Sequence, residues 1–150
     1  MKLGADIHSS MEVLFDGKWF FVGAMPSHRN YQLFGKLSGV RGGDGPFFEE
    51  SSELPEDVCQ EIKDDYEAWM SDAHSLTIID YKGLEAFCDY FQKPMLNWRK
   101  LTAKEKDSWS DKKQYDKHCA ASYVVDWLFF ARKLINIGAE DVRIVIWYDN

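Results

Sequence analysis

The sequence predicts an α+β fold: a small antiparallel sheet, made from an N-terminal hairpin and a C-terminal strand, packed against several helices including one long C-terminal helix. Three features carry this. Apolar and polar residues alternate on both sides of Asp16-Gly17, they alternate again from Val142 to Tyr148, and a helical period fills Asp111 to Ile137. With the strands at the two ends of the chain and helical segments dominating by length, the economical arrangement is one sheet with helices on one face.

In the first strand, Ala5, Ile7, Ser9, Met11, Val13 and Phe15 alternate with Asp6, His8, Ser10, Glu12 and Leu14, giving an apolar and a polar face. Asp16-Gly17 separates it from Lys18 to Val22, and both turn residues tolerate the positive φ that a tight hairpin needs. Met25 to His28 connects to a short helix. Asn30 caps it, Leu33, Phe34, Leu37 and Val40 fall at helical spacing, and Gly39 stops it. Arg41 to Ser52, rich in Gly and Ser, reads as a mobile loop around Phe47-Phe48.

Pro55, Glu56 and Asp57 suit the first turn of the next helix, whose buried stripe is Val58, Ile62, Tyr66 and Trp69. Asp72 to Ser75 breaks it. Leu76 to Ile79 reads as a short strand, and Asp80 caps a helix carrying Leu84, Phe87, Cys88 and Phe91. Pro94 to Trp109 is less regular, although Thr102 to Glu105 has capping-box form. The long helix puts Tyr115, Cys119, Ser122, Val125, Leu128, Arg132 and Ile135 on one side, and Gly138 ends it. No repeat or linker divides residues 1–150, which read as a single domain.

The chain has 150 residues, 45% of them hydrophobic and 15% aromatic, enough to build a core. So many rings predict that some serve a surface or a pocket. A net charge of −7, from 25 acids and 18 bases, argues against double-stranded DNA binding, which needs a basic footprint. It still allows a local basic pocket for a small anion, or an acidic surface for a basic partner. Cys59, Cys88 and Cys119 are odd in number, form no CxxC and follow no signal-peptide pattern, which predicts reduced thiols and a cytoplasmic location. No apolar run approaches the roughly 20 residues of a membrane span, so no membrane partner is expected.

Two groups of residues carry candidate chemistry. The first is the polar face of strand one, where Asp6, His8, Ser10 and Glu12 share a side of the sheet; with the second Asp-x-His pair, Asp72 and His74, it suggests a divalent-metal shell. Antiparallel sheets commonly leave one face to solvent, and no HExxH or Cys/His cluster is present, so a solvated or hydrogen-bonding face is the stronger reading and no cofactor is expected. The second is Arg29 to Gly43. Arg29 precedes a helix N-terminus, which favours an anion, and Arg41 enters Gly42-Gly43, whose backbone lets a ligand approach. Along a continuous helix these arginines stand about 18 Å apart, too far to grip one phosphate unless Arg41 folds back through the Gly39 turn. Pairing with the chain's many carboxylates is the alternative use of both. His74-Ser75 lacks the elbow of a serine nucleophile and suits capping or a polar contact. His28 suits the arginine pocket, His118 suits packing or a solvent edge within the long helix, and Arg99 to Lys113, with Trp98 and Trp109, reads as a solvated mixed-charge surface.

Gly4-Ala5-Asp6-Ile7-His8, Arg29-Asn30-Tyr31 with Leu33-Phe34, Gly39-Val40-Arg41, His74-Ser75, Val142 to Val145 and Asp149-Asn150 together resemble a family of small uncharacterised proteins of bacteriophages and bacterial genomes. The resemblance covers nearly the whole chain apart from about Pro94 to Lys117. It implies a cytoplasmic accessory protein of viral type, acting in the host cytoplasm, and it carries no activity. Its motif positions coincide with the polar candidates Asp6, His8, Arg29, Tyr31, Arg41, His74 and Ser75.

These observations favour a protein that binds, and in a phage setting sequesters, a phosphorylated nucleotide-like molecule to counter host defence. Arg29 and Arg41 are expected on phosphates, Tyr31 and a loop phenylalanine in stacking, Asp6 and His8 on base or ribose. Two alternatives differ in class. One is a metal-dependent phosphoester hydrolase with Asp6, His8 and His74 as ligands. The other is an acidic inhibitor of a host nucleic-acid enzyme, docking through Glu49, Glu50, Glu53, Glu56 and Asp57. Turnover and homo-oligomerisation are left open by the sequence.

Overall fold

The structure, a computed structural model, describes residues 4–42, 45–99, 103 and 112–150, with the backbone alone at 92–99 and 112–118. The side chains of Trp98, Arg99, Lys100, Lys112, Lys113, Tyr115 and His118, the capping positions Thr102 and Glu105, and residues Gly43 and Trp109 lie outside what is described.

The fold is α+β. Strands β1 (Asp6–Phe15), β2 (Lys18–Ala24), β3 (His74–Asp80) and β4 (Asp141–Asp149) form one sheet in the order β2-β1-β4-β3, and every neighbouring pair is antiparallel. Asp16 and Gly17 adopt φ of 50° and 72°, the positive values the hairpin requires. Beyond Glu12↔Phe21 the next pair is Met11↔Gly23, so Val22 is the extra residue of a bulge. β4 lies between β1 and β3 and pairs with β1 from Asp6↔Asp149 to Leu14↔Asp141.

Helices α1 (Tyr31–Ser38), α3 (Tyr81–Arg99) and α4 (Lys112–Asn136) join the main core with Met11, Val13, Val142, Ile144, Ile146 and Tyr148 from the sheet. The caps of α1 follow the sequence: Asn30 Oδ1 accepts from Leu33 N–H at 3.1 Å, and Gly39 is left-handed. Asp80 Oδ1 likewise accepts from Gly83 N–H at 2.7 Å at the start of α3, which then continues past Pro94. In α4 the buried stripe is Ala120, Val124, Trp127 and Ala131, flanked by Ala121 and Leu128, whereas Ser122 and Arg132 are exposed. The buried stripe thus mixes alanines with Val124, Trp127 and Leu128 and is rotated from the expected one. Trp127 Nε1 donates to Pro26 O at 2.8 Å and ties α4 to the connector before α1.

The sheet is covered on both faces, not one. Helix α2 (Gln60–Trp69) packs Cys59 and Ile62 against Leu76, Val145 and Trp147. The cause is visible in β4, where Ile144 to Tyr148 are five consecutive buried residues, so apolar side chains leave the strand on both sides. Helix α2 starts at Gln60, later than Pro55 suggested, because Cys59 N–H is held by Glu12 Oε2 at 2.9 Å. The loop around Phe47-Phe48 is docked: Phe47 N–H donates to Lys36 O and Phe48 N–H to Leu37 O, and both rings contact Phe87. Those rings pack against α3, with Phe47 still 41% exposed.

Candidate functional site

β1 and β3 begin, and β4 ends, at the same end of the sheet. Asp6 lies opposite Asp149, while Ile7 and His74 flank Tyr148 from the two neighbouring strands. The motif residues converge here although they are far apart in sequence.

Arg29 stands immediately before the Asn30 cap, and its fork meets Asp6: Nε donates to Oδ1 at 2.9 Å and Nη2 to Oδ2 at 3.0 Å. Hydrogen bonding and charge from Asp6 raise the Arg29 pKa, with smaller contributions from Tyr31 and Asp149. Both partners are about half exposed (47% and 53%), so the pair aims the guanidinium more than it stabilises the fold. Gly4 passes beneath. A methyl group on it would sit 2.5 Å from Tyr31 Oη and 2.6 Å from Arg29 Nη1, so any side chain here would push both of these groups aside.

Arg41 reaches the same place from the other direction. Gly39 (φ 73°) and Arg41 (φ 61°) are left-handed and reverse the chain after Ser38. The Arg41 guanidinium then lies 5.9 Å from the centre of the Tyr31 ring. The separation of about 18 Å expected of a continuous helix therefore does not apply, and the fold-back through Gly39 is the arrangement found.

His8 lies on the α2 side of the sheet. Its Nε2 is 2.7 Å from Asp149 Oδ2, its ring stacks on Trp147 at 5.4 Å, and Trp69 closes over it at 4.7 Å. Asp149 is also the register partner of Asp6, and its charge reaches Arg29. Asp6 and His8 each have a partner within the chain, Arg29 and Asp149 respectively. Ser10 and Glu12 are buried under α2, while Asp6, His8 and Glu12 are each hydrogen-bonded, so the polar face of strand one is a hydrogen-bonding face more than a solvated one.

His74 lies on the opposite side, its ring 6.0 Å from Tyr148 and Nδ1 3.0 Å from Ser75 Oγ. Ser75 has φ 56°, strained for a non-glycine residue, and the β3–β4 register shifts between His74 and Thr77. A one-way relay holds it there. Burial pushes the Tyr148 phenol up from its ordinary value, so its O–H donates to Ser38 Oγ at 3.0 Å. Ser38 then donates to Thr77 Oγ1 at 2.7 Å, and Thr77 to the Ser75 carbonyl at 3.0 Å. His74 Nε2 is left buried without a hydrogen-bond partner among the described residues.

The set Asp6, His8 and His74 is not gathered into a metal shell. His8 stacks on Trp147 and His74 on Tyr148, successive residues of β4 whose side chains leave opposite faces. Among the described residues no three His, Cys, Asp or Glu side chains form such a group. His28 is likewise drawn away from the arginines, because its Nδ1 meets the Tyr123 hydroxyl on α4.

Sequence reasoning missed the network beneath α2. Glu12 is fully buried; Oε1 accepts from Arg143 Nε at 2.6 Å and also contacts Nη2, while Oε2 holds Cys59 N–H. Arg143 Nη1 reaches Asp57 Oδ1 at 3.1 Å, and its guanidinium lies 4.0 Å from the Trp19 ring. No local pattern marks a pair 131 residues apart. Burial, reinforced by the Glu12 carboxylate, pushes the Cys59 thiol from 9.0 up to about 12. Cys59 and Tyr148 are both held neutral by the fold. The unfolded chain ionises them from pH 9 and pH 10 upward, so stability should fall as the pH rises from 9 towards 12. Urea midpoints between pH 7.5 and 11 check this, and the double variant Cys59→Ala/Tyr148→Phe should show a shallower alkaline decline.

Fold and geometry define a four-stranded antiparallel α+β domain with a charged, aromatic surface at one sheet end. No protein-family model, curated protein or solved structure matches the chain, so the likeness to small phage and bacterial proteins rests on its quoted residues alone. Among the described residues no helix is long and apolar enough to cross a membrane. The two described cavities lie beside α2 and include none of the seven candidate residues.

Proposed function

We propose that the protein binds a small phosphorylated, nucleotide-like ligand on the sheet-end surface formed by Arg29, Tyr31 and Arg41. The supporting observation is the return of Arg41 over the Tyr31 ring, whose hydroxyl lies with Arg29 above Gly4. Two guanidiniums and an aromatic face then serve one ligand: the cations take phosphate oxygens and the ring takes a base or sugar face. Asp6 aims Arg29, and His8 fixes Asp149 beside it. His74 and Ser75 lie along the same sheet end, and their backbone borders its far side. The surface is open, which suits reversible capture. In the phage setting implied by the resemblance, capture would take a host signalling nucleotide out of circulation and so counter defence.

A thermal-shift panel of linear and cyclic mono- and dinucleotides tests this reading. At least one phosphorylated member should raise the melting temperature, while the matching nucleosides should act weakly. A panel with no response at millimolar ligand would sink the idea.

A further inference from the structure

Two cavities flank the segment leading into α2, and they share Val58 as a wall. One, about 360 Å³, is walled by Trp19, Phe20 and Phe21 of β2 together with Asp57 and Glu61. The other, about 300 Å³, lies over Leu54, Pro55, Tyr66 and Met70, with Glu53, Glu56 and Glu67 around it. Phe21, on the α2 side of β2, and Met70 are 43% and 63% exposed, large apolar side chains that border the two cavities and mark an interaction surface.

The charges around this track are predominantly acidic. Glu53, Glu56, Glu61 and Glu67 form no ion pair among the described residues, and Lys18 and Lys63 are the bases lining the cavities. Asp57 is already held by Arg143. Apolar anchors with unpaired carboxylates beside them are complementary to one kind of occupant: a segment that alternates apolar residues with lysine or arginine. Methionine suits such a role because its flexible thioether adapts to different anchors.

We propose that the track from Phe21 across Val58 to Met70 is a docking surface for a basic, apolar-anchored segment of a partner protein. It is separate from the sheet-end surface and does not depend on nucleotide binding there. Apolar side chains of the partner fill the two cavities, and its cations meet Glu53, Glu56, Glu61 and Glu67. The charges speed encounter and reject acidic partners, while the cavities hold the complex.

Titration of the full chain with a short amphipathic Lys/Leu peptide tests this, with a Lys/Ser peptide of equal length and charge as control. The Lys/Leu peptide should bind, and added salt should weaken it. Two variants with exposed replacements keep the fold: Glu53→Lys/Glu56→Lys should weaken binding about tenfold, and Met70→Ser several-fold. The proposal is overturned by equal binding of the two peptides, by wild-type affinity in both variants, or by no binding of the Lys/Leu peptide.

Discussion

Replacing Glu12 with alanine should lower the unfolding free energy by about 3–5 kcal/mol, the cost of stranding a buried partner charge. Glu12 is fully buried, and the Arg143 side chain is 11% exposed. Removing the carboxylate leaves the Arg143 guanidinium without its main counter-ion and Cys59 N–H without an acceptor. Helix α2 has no side-chain cap of its own, so its start loosens as well. Arg143→Ala should cost a similar amount for the converse reason. The double variant Glu12→Leu/Arg143→Leu should lose less than the sum of the single variants, because no charge is then left unpaired. Urea unfolding of the four proteins measures this, and additive losses would show that the pair is not coupled.

Gly4→Ala should separate binding from stability. The added methyl meets the far ends of two side chains, Tyr31 Oη and Arg29 Nη1, rather than backbone, so both can swing aside at little cost. The fold should therefore stay within about 1 kcal/mol of wild type. The displaced groups are those proposed to hold the ligand, and misplacing a charged contact should weaken nucleotide binding about tenfold or more. Calorimetric titration with whichever nucleotide gives the largest thermal shift reads the affinity. Unaltered binding to a normally folded Gly4→Ala protein would remove Arg29 and Tyr31 from the site.

Where local rules decide a structure, the sequence was sufficient. Asp16-Gly17, the Asn30 cap, the Gly39 stop and the Asp80 cap each act within a few residues, and each forms as expected. The apolar stripe of α1 and the cluster Leu84, Phe87, Cys88 and Phe91 are also buried as their spacing requires. What was illegible depends on distant pairing. Nothing near Glu12 announces Arg143, and nothing near Val145 and Trp147 announces α2, so the second covered face escaped notice. The candidate surface was half legible: Asp6, Arg29, Tyr31 and Arg41 stood out by residue type, but their meeting depends on two left-handed residues after α1. Asp149 and Gly4 matter through register and close approach, which single-residue chemistry does not reveal.

The ligand proposed here, a phosphorylated small molecule, would bind at the sheet end where Asp6, Arg29, Tyr31 and Arg41 meet. Backbone amide shifts of the isotope-labelled protein, recorded while a nucleotide from the panel is added, test it residue by residue. The amides of Gly4, Asp6, Tyr31, Arg41, His74 and Ser75 should move in a saturable way while those of Glu53, Val58 and Met70 stay still. Shifts confined to the α2 side, or none at the sheet end, would contradict it.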